Sequence, residues 1–100
     1  MIKVVKRDGE VAEFTLSKIT EAIRKAFKAT KKDFNDEILE LLSLRVTADF
    51  QSKMKEGTVS VEEIQDSVEH VLEQTGYTDV AKAYILYRKQ REKIRNMKNT

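Results

Sequence analysis

Apolar positions recur along this chain with two different periods, and the places where the period changes divide it into elements. At the start, Ile2, Val4 and Lys6 alternate with Lys3, Val5 and Arg7, and Val11 to Phe14 forms a second short, β-rich run. Alternation of this kind predicts two strands whose successive side chains point to opposite faces. Asp8-Gly9 between them predicts a hairpin with a two-residue primed turn, since glycine accepts the positive φ that such turns require. Lys6 and Arg7 then begin on opposite faces, and they reach a common ligand only if the strand ends and twists at the turn.

After Phe14 the period becomes helical. Ile19, Ala22, Ile23, Ala26 and Phe27 form one stripe, with Glu21, Arg24, Lys25 and Lys28 on the remaining surface and Thr15 as the expected N-cap. Ile38, Leu39, Leu41, Leu42, Val46, Phe50 and Met54 mark a longer helix, the expected central packing element, with Gly57 placed to end it in a left-handed cap. Thr58-Val59-Ser60 is β-branched and short, and is expected to add a third strand. Ser60-Val61-Glu62-Glu63 has the form of a capping box ahead of Val61, Ile64, Val68, Val71 and Leu72. Beyond Gly76, Tyr77, Val80, Ala81, Tyr84 and Ile85 make a stripe that continues into Arg88, Arg91 and Arg95, so these arginines are expected at the edge of the core rather than on the solvated face.

The pattern predicts an α+β fold: a four-helix bundle capped by a small, two- or three-stranded β-sheet. Its hairpin runs over about 2–15 and its helices over about 16–29, 35–56, 61–75 and 78–97. A length of 100 residues with 40% hydrophobic and 36% charged content fits one domain with one modest core. A formal net charge of +2 argues against a surface that tracks a nucleic-acid backbone throughout, though local patches are compatible with it. The absence of cysteine excludes disulfides, thiolate and thiyl-radical chemistry, and Cys-based zinc sites in this chain. No apolar run is long enough to span a bilayer and no signal-peptide pattern opens the chain, so no membrane partner and a cytoplasmic location are expected.

Three cations surround the hairpin and the start of the first helix: Lys6, Arg7 and Lys18. Arginine offers a rigid donor fork and lysine a mobile point charge, and the unpaired N–H groups of a helix start favour an anion, which together suit a triphosphate. By spacing alone, ordinary surface charge is the simpler reading of the same residues. Neither a P-loop nor a dinucleotide-binding glycine turn is present. The basic run Arg88, Lys89, Arg91, Lys93, Arg95 and Lys98 suits phosphates or simply a helix C-terminus. His70 reads as a helix-surface residue, Glu62, Glu63, Asp66, Glu69 and Glu73 as a solvated helix face, and Tyr84 and Tyr87 as core or core-edge aromatics. No nucleophile, base and orienting group line up as a triad, so catalysis within the chain and a resident metal are not expected.

Val4-Val5-Lys6-Arg7-Asp8-Gly9, then Phe14 and Lys18-Ile19, Ile64-Gln65, Val68-Glu69, and Gly76-Tyr77 with Val80-Ala81-Lys82-Ala83-Tyr84-Ile85-Leu86-Tyr87-Arg88 together resemble the ATP-cone domain over nearly the whole chain. The resemblance implies a noncatalytic allosteric module that binds ATP or dATP, with Mg²⁺ accompanying the nucleotide. It implies control of the overall activity of a ribonucleotide reductase through nucleotide-dependent homo-oligomerisation. The Met1 start and the lack of cysteine favour an N-terminal reductase cone, the catalytic domain of the parent being its partner, and the short N-terminus leans to the anaerobic class.

By position, the resemblance makes Lys6, Arg7 and Lys18 phosphate contacts, Val4 and Ile19 walls for the adenine beside Phe14 and Ile64, and Thr15 a polar reader of base or sugar. Ala12 stands where other cones have a carboxylate, which shifts adenine selection to backbone groups or Glu13. Val61 and Gln65 fall where some cones place a hydroxyl and a histidine near the phosphates, and Tyr87, Arg88 and Arg91 match the helix end that closes over the nucleotide. The alternative is a nucleic-acid-binding or transcriptional-repressor module such as the cone of a reductase-gene repressor, with nucleic acid the less favoured partner.

Overall fold

A computed structural model describes the backbone of residues 2–98 and the side chains of 2–93, so Arg95 and Lys98 of the predicted basic run lie outside the described side chains. The element order is β1 (Lys3–Val5), β2 (Val11–Glu13), α1 (Leu16–Thr30), α2 (Asp36–Gln51), β3 (Thr58–Ser60), α3 (Val61–Gln74) and α4 (Thr78–Lys98). Each helix packs on two others, α1 on α2 and α4, α3 on α2 and α4, which closes a four-membered bundle under a three-stranded sheet. The α+β layout expected from the periodicity is therefore the observed one.

The sheet order is β2-β1-β3, with β1 antiparallel to β2 and parallel to β3, so the first strand is the central one. Two turns differ from expectation, and they exchange roles. Between β1 and β2 the N–H of Gly9 donates to the Lys6 carbonyl and that of Lys6 to the Glu10 carbonyl, enclosing three residues, Arg7-Asp8-Gly9, in which only Gly9 has positive φ (87°). This is the three-residue hairpin with a glycine bulge, and Asp8 spends its side chain accepting from the Glu10 N–H at 2.9 Å rather than adopting positive φ. The two-residue primed turn occurs instead at Glu56-Gly57, with φ of 53° and 78°, flanked by reciprocal bonds between Lys55 and Thr58. Gly57 accordingly serves the entry into β3 and not a helix cap, and α2 ends at Gln51, short of the predicted end near 56.

Local chemistry accounts for the helix ends. Asn35 caps α2 by accepting from the Ile38 N–H at 2.8 Å, and Ser60 and Glu63 form the reciprocal capping box of α3. Gly76, at φ 89°, closes α3 with its own N–H on Glu73 and that of Tyr77 on Leu72, a Schellman arrangement. The core draws on all four helices and β3: Ile23, Phe27, Leu39, Leu42, Val46, Phe50, Val59, Val68, Leu72 and Val80 are all buried. Leu41, counted in the α2 stripe, instead faces outward and is 58% exposed, because the stripe that meets the bundle runs through Leu39, Leu42, Val46 and Phe50. Phe14 packs edge-on against Phe50 at 5.2 Å, which fixes the end of β2 and the start of α1 over the bundle.

Candidate functional site

Two adjoining cavities lie where the β1–β2 hairpin meets α1, α3 and α4. The first, about 400 Å³, is walled by Val4, Phe14, Ile19, Val61, Ile64 and Val68, with Lys6, Thr15, Lys18 and Arg91 at its polar edge. The second, about 450 Å³, is lined by Arg7, Ser17, Lys18, Glu21, Lys25, Tyr87, Arg88, Arg91 and Glu92. Lys18, Ala22, Gln65, Tyr84 and Arg91 border both. One cleft is thus divided into an apolar chamber and a cationic chamber, each within the usual size range of ligand sites. Every site residue that the resemblance nominated lies on one wall or the other: Val4, Lys6, Phe14, Thr15, Ile19, Val61 and Ile64 on the apolar side, Arg7, Tyr87 and Arg88 on the cationic side, and Lys18, Gln65 and Arg91 on both, whereas Lys89 and Lys93 of the basic run line neither cavity. Lys6 and Arg7 lie beyond the end of β1 at Val5, yet they remain separated, one in each chamber.

Lys18 is in the first turn of α1, the one helix of the four with no acid there. Thr15 occupies its N-cap position but makes no side-chain cap bond, a departure from the expected capping that leaves the hydroxyl beside the cleft and the first-turn N–H groups without side-chain relief. α2 and α3 offset the same dipole with Asp36 and Glu37, and Glu62 and Glu63. Lys25, missed by the sequence reading, lies two turns beyond Lys18 on the same face of α1, and the spacing Lys18, Ala22, Lys25 is the signal that exposes it. Among the described residues Lys6, Lys18 and Lys25 have no ion-pair partner, although Glu21 and Glu92 also line the cationic chamber.

The arginines differ from one another. Arg88 donates to Glu69 at 2.8 Å and Asp66 at 3.3 Å, and Arg7 is held by Glu62 at 2.9 Å and Glu92 at 2.5 Å. This corrects the reading of the α3 acids as a solvated face: Glu62, Asp66 and Glu69 follow helical spacing toward the hairpin and α4, and Glu63 caps the helix, leaving Glu73 exposed as expected. Burial works to lower the Arg88 pKa, but its bonds to Glu69 and Asp66 outweigh it and hold the guanidinium above its ordinary value. Arg91 donates to the Tyr87 hydroxyl at 3.0 Å, and Lys25 lies 5.5 Å from the Tyr87 ring. Burial tends to raise the Tyr87 phenol, yet the hydrogen bond and charge of Arg91, followed by those of Lys25, bring it below its usual range. Burial drives the neighbouring Tyr84 phenol well up, keeping it neutral. Gln65 presents the most telling polar atom, because its Oε1 is buried without a hydrogen-bond partner at the junction of the chambers.

Among the described residues no cluster of three or more His, Cys, Asp or Glu is built to hold a metal, and no helix is long and apolar enough to cross a membrane. His70 is exposed on α3. A family model for the ATP cone domain matches residues 2–93. The chain belongs to the ATP-cone family. A vitamin B12-dependent ribonucleoside-diphosphate reductase of Thermoplasma acidophilum is 47% identical over 104 residues, covering 98% of this chain and 13% of the relative. A ribonucleoside-diphosphate reductase subunit alpha of Chlamydia pneumoniae is 40% identical over 110 residues (99% and 10%), and an anaerobic ribonucleoside-triphosphate reductase of Haemophilus influenzae 34% over 97 residues (96% and 13%). The chain therefore spans between 10% and 13% of the length of these relatives, and the relatives are not confined to the anaerobic class.

Proposed function

We propose that this cone is a noncatalytic allosteric domain that binds ATP and dATP in the divided cleft and sets the overall activity of a ribonucleotide reductase by changing its oligomeric state. The observation that carries the reading is the juxtaposition of an apolar chamber with a cationic one in a chain of this family. A nucleotide has the same division, and adenine between Val4, Ile19, Val61 and Ile64 leaves its triphosphate, with any accompanying Mg²⁺, among Lys18, Lys25 and Arg91. Lys6 stands at the edge of the base chamber, and Thr15 and Glu13 are within the same wall to meet the polar rim of the base. The sugar then lies against the shared wall, where the unpartnered Gln65 Oε1 is an acceptor for a ribose hydroxyl.

Two effectors that differ by one hydroxyl must produce different outputs, which requires a coupling free energy of about 1–3 kcal/mol between the cleft and the associating surface. Calorimetric titration of the chain with ATP and dATP, followed by size-exclusion chromatography of each complex, tests the reading. Saturable binding of both, with dATP changing the elution volume, is the expected result. No saturable binding at ~1 mM nucleotide, equivalent to only about −4 kcal/mol, overturns it.

A further inference from the structure

Arg7 is gripped by two carboxylates from different helices, and they use different edges of its guanidinium. Glu62, at the start of α3, takes Nε at 2.9 Å, whereas Glu92, near the end of α4, takes Nη1 at 2.5 Å. Glu92 lines the cationic chamber together with Arg7, and Glu62 does not. A guanidinium holds anions through separate pairs of N–H groups, so the Nε contact leaves terminal N–H groups for a second anion. In this structure Glu92 is that second anion, and a carboxylate and a phosphate present the same forked acceptor to arginine.

We propose that Glu92 is a built-in competitor for the chamber-facing edge of Arg7, displaced when a polyphosphate binds, and that Glu62 is a positioning residue that keeps the guanidinium aimed at the chamber. The inference rests on the reading of that chamber as a triphosphate site. Three further observations agree with it. The Arg7 and Glu92 side chains are 32% and 45% exposed, so their exchange for another anion involves no deeply buried charge. The hydrogen bond and charge of Arg7 hold the Glu92 carboxyl below its ordinary pKa, as expected of a carboxylate standing where an anion is wanted. Arg91, which borders both chambers, is the neighbour of Glu92 on α4, so the displaced carboxylate and a cation of the cleft move on one helix. Occupancy of the chamber is thereby converted into release of the end of α4 from the hairpin loop.

The two carboxylates have opposite expected effects, which separates the inference from a mere change of net charge. Calorimetry of the 100-residue chain with ATP and with inorganic tripolyphosphate at ~0.1 M salt compares the wild type with Glu92→Gln and Glu62→Gln. Glu92→Gln is expected to tighten both probes by roughly threefold to tenfold, and Glu62→Gln to weaken both by a similar factor. Tightening by both variants alike, or unchanged or weaker binding to Glu92→Gln, overturns the inference while wild-type binding leaves the nucleotide reading intact. Failure of all three proteins to bind either probe overturns both. Thermal melts verify folding, and Glu92→Ala, which also removes the competitor, must tighten binding as well; if it does not, the inference falls.

Discussion

Lys18 stands in the first turn of α1, where no acid compensates the helix dipole, and it borders both chambers of the cleft. Lys18→Ala should therefore weaken ATP binding about tenfold, roughly 1.4 kcal/mol, while leaving the helical circular dichroism unchanged, because the side chain has no ion pair among the described residues to lose. Gln65 gives a different kind of prediction. If its buried Oε1 accepts from the ribose, Gln65→Leu lowers the ratio of ATP to dATP affinity, and an unchanged ratio in calorimetry excludes that role.

A pH effect belongs to Glu92. Its folded pKa is depressed, so its contact with Arg7 contributes stability above the ordinary value of 4.5 and is lost as pH falls through the lower folded value. Carboxyl NMR should put its midpoint below 4.5, and Arg7→Ala should return it toward that value. At this scale the nominated cations and apolar walls were legible because strand alternation and helical spacing assign faces. The pairing of Arg7 and Arg88 with α3 acids was not, since it depends on how the hairpin and α4 sit against α3, which no local period encodes.

Elements reveal themselves through their ends. Ser60 and Glu63 satisfy two otherwise orphaned donors at the start of α3, and that start was readable from the capping-box spacing alone. Ser60→Ala should lower stability by about 1 kcal/mol in urea denaturation. Among the described residues two non-glycine positions hold positive φ, Lys31 at 58° where α1 ends and Glu56 at 53° in the turn before β3. Each works against the preference of its own backbone, so Lys31→Gly and Glu56→Asn should each raise stability by about 0.5–1 kcal/mol, measured as an increase in the urea midpoint at constant slope. These positions also explain the misread turns. An Asp-Gly pair signals a primed turn only if aspartate accepts positive φ, and here its carboxylate bonds the Glu10 N–H in a three-residue loop. The early end of α2 follows from the same competition, since residues from Ser52 onward turn the chain back toward β1 instead of extending the apolar stripe to Met54.

For the whole molecule, a ligand that binds only the folded state should stabilise it by about 2.7 kcal/mol at a hundredfold excess over Kd, visible as a rise in melting temperature that Lys18→Ala reduces. The cleft, however, is not fastened with equal strength on all sides. Its α1, α3 and α4 walls belong to the bundle, whereas Lys6 and Arg7 sit in the turn that follows β1, whose ladders are three residues long and whose parallel partner, pairing Lys3 with Thr58, lies far along the chain. Ladders this short open without global unfolding. The amide of Lys6, bonded to Glu10, and that of Phe14, bonded to Ile2, should therefore exchange with solvent sooner than those at the centre of α2 around Leu42 and Val46. A nucleotide that reaches Lys6 and Arg7 would slow exchange most at these two sheet amides, so that the most easily opened edge of the cleft becomes the part whose persistence reports occupancy.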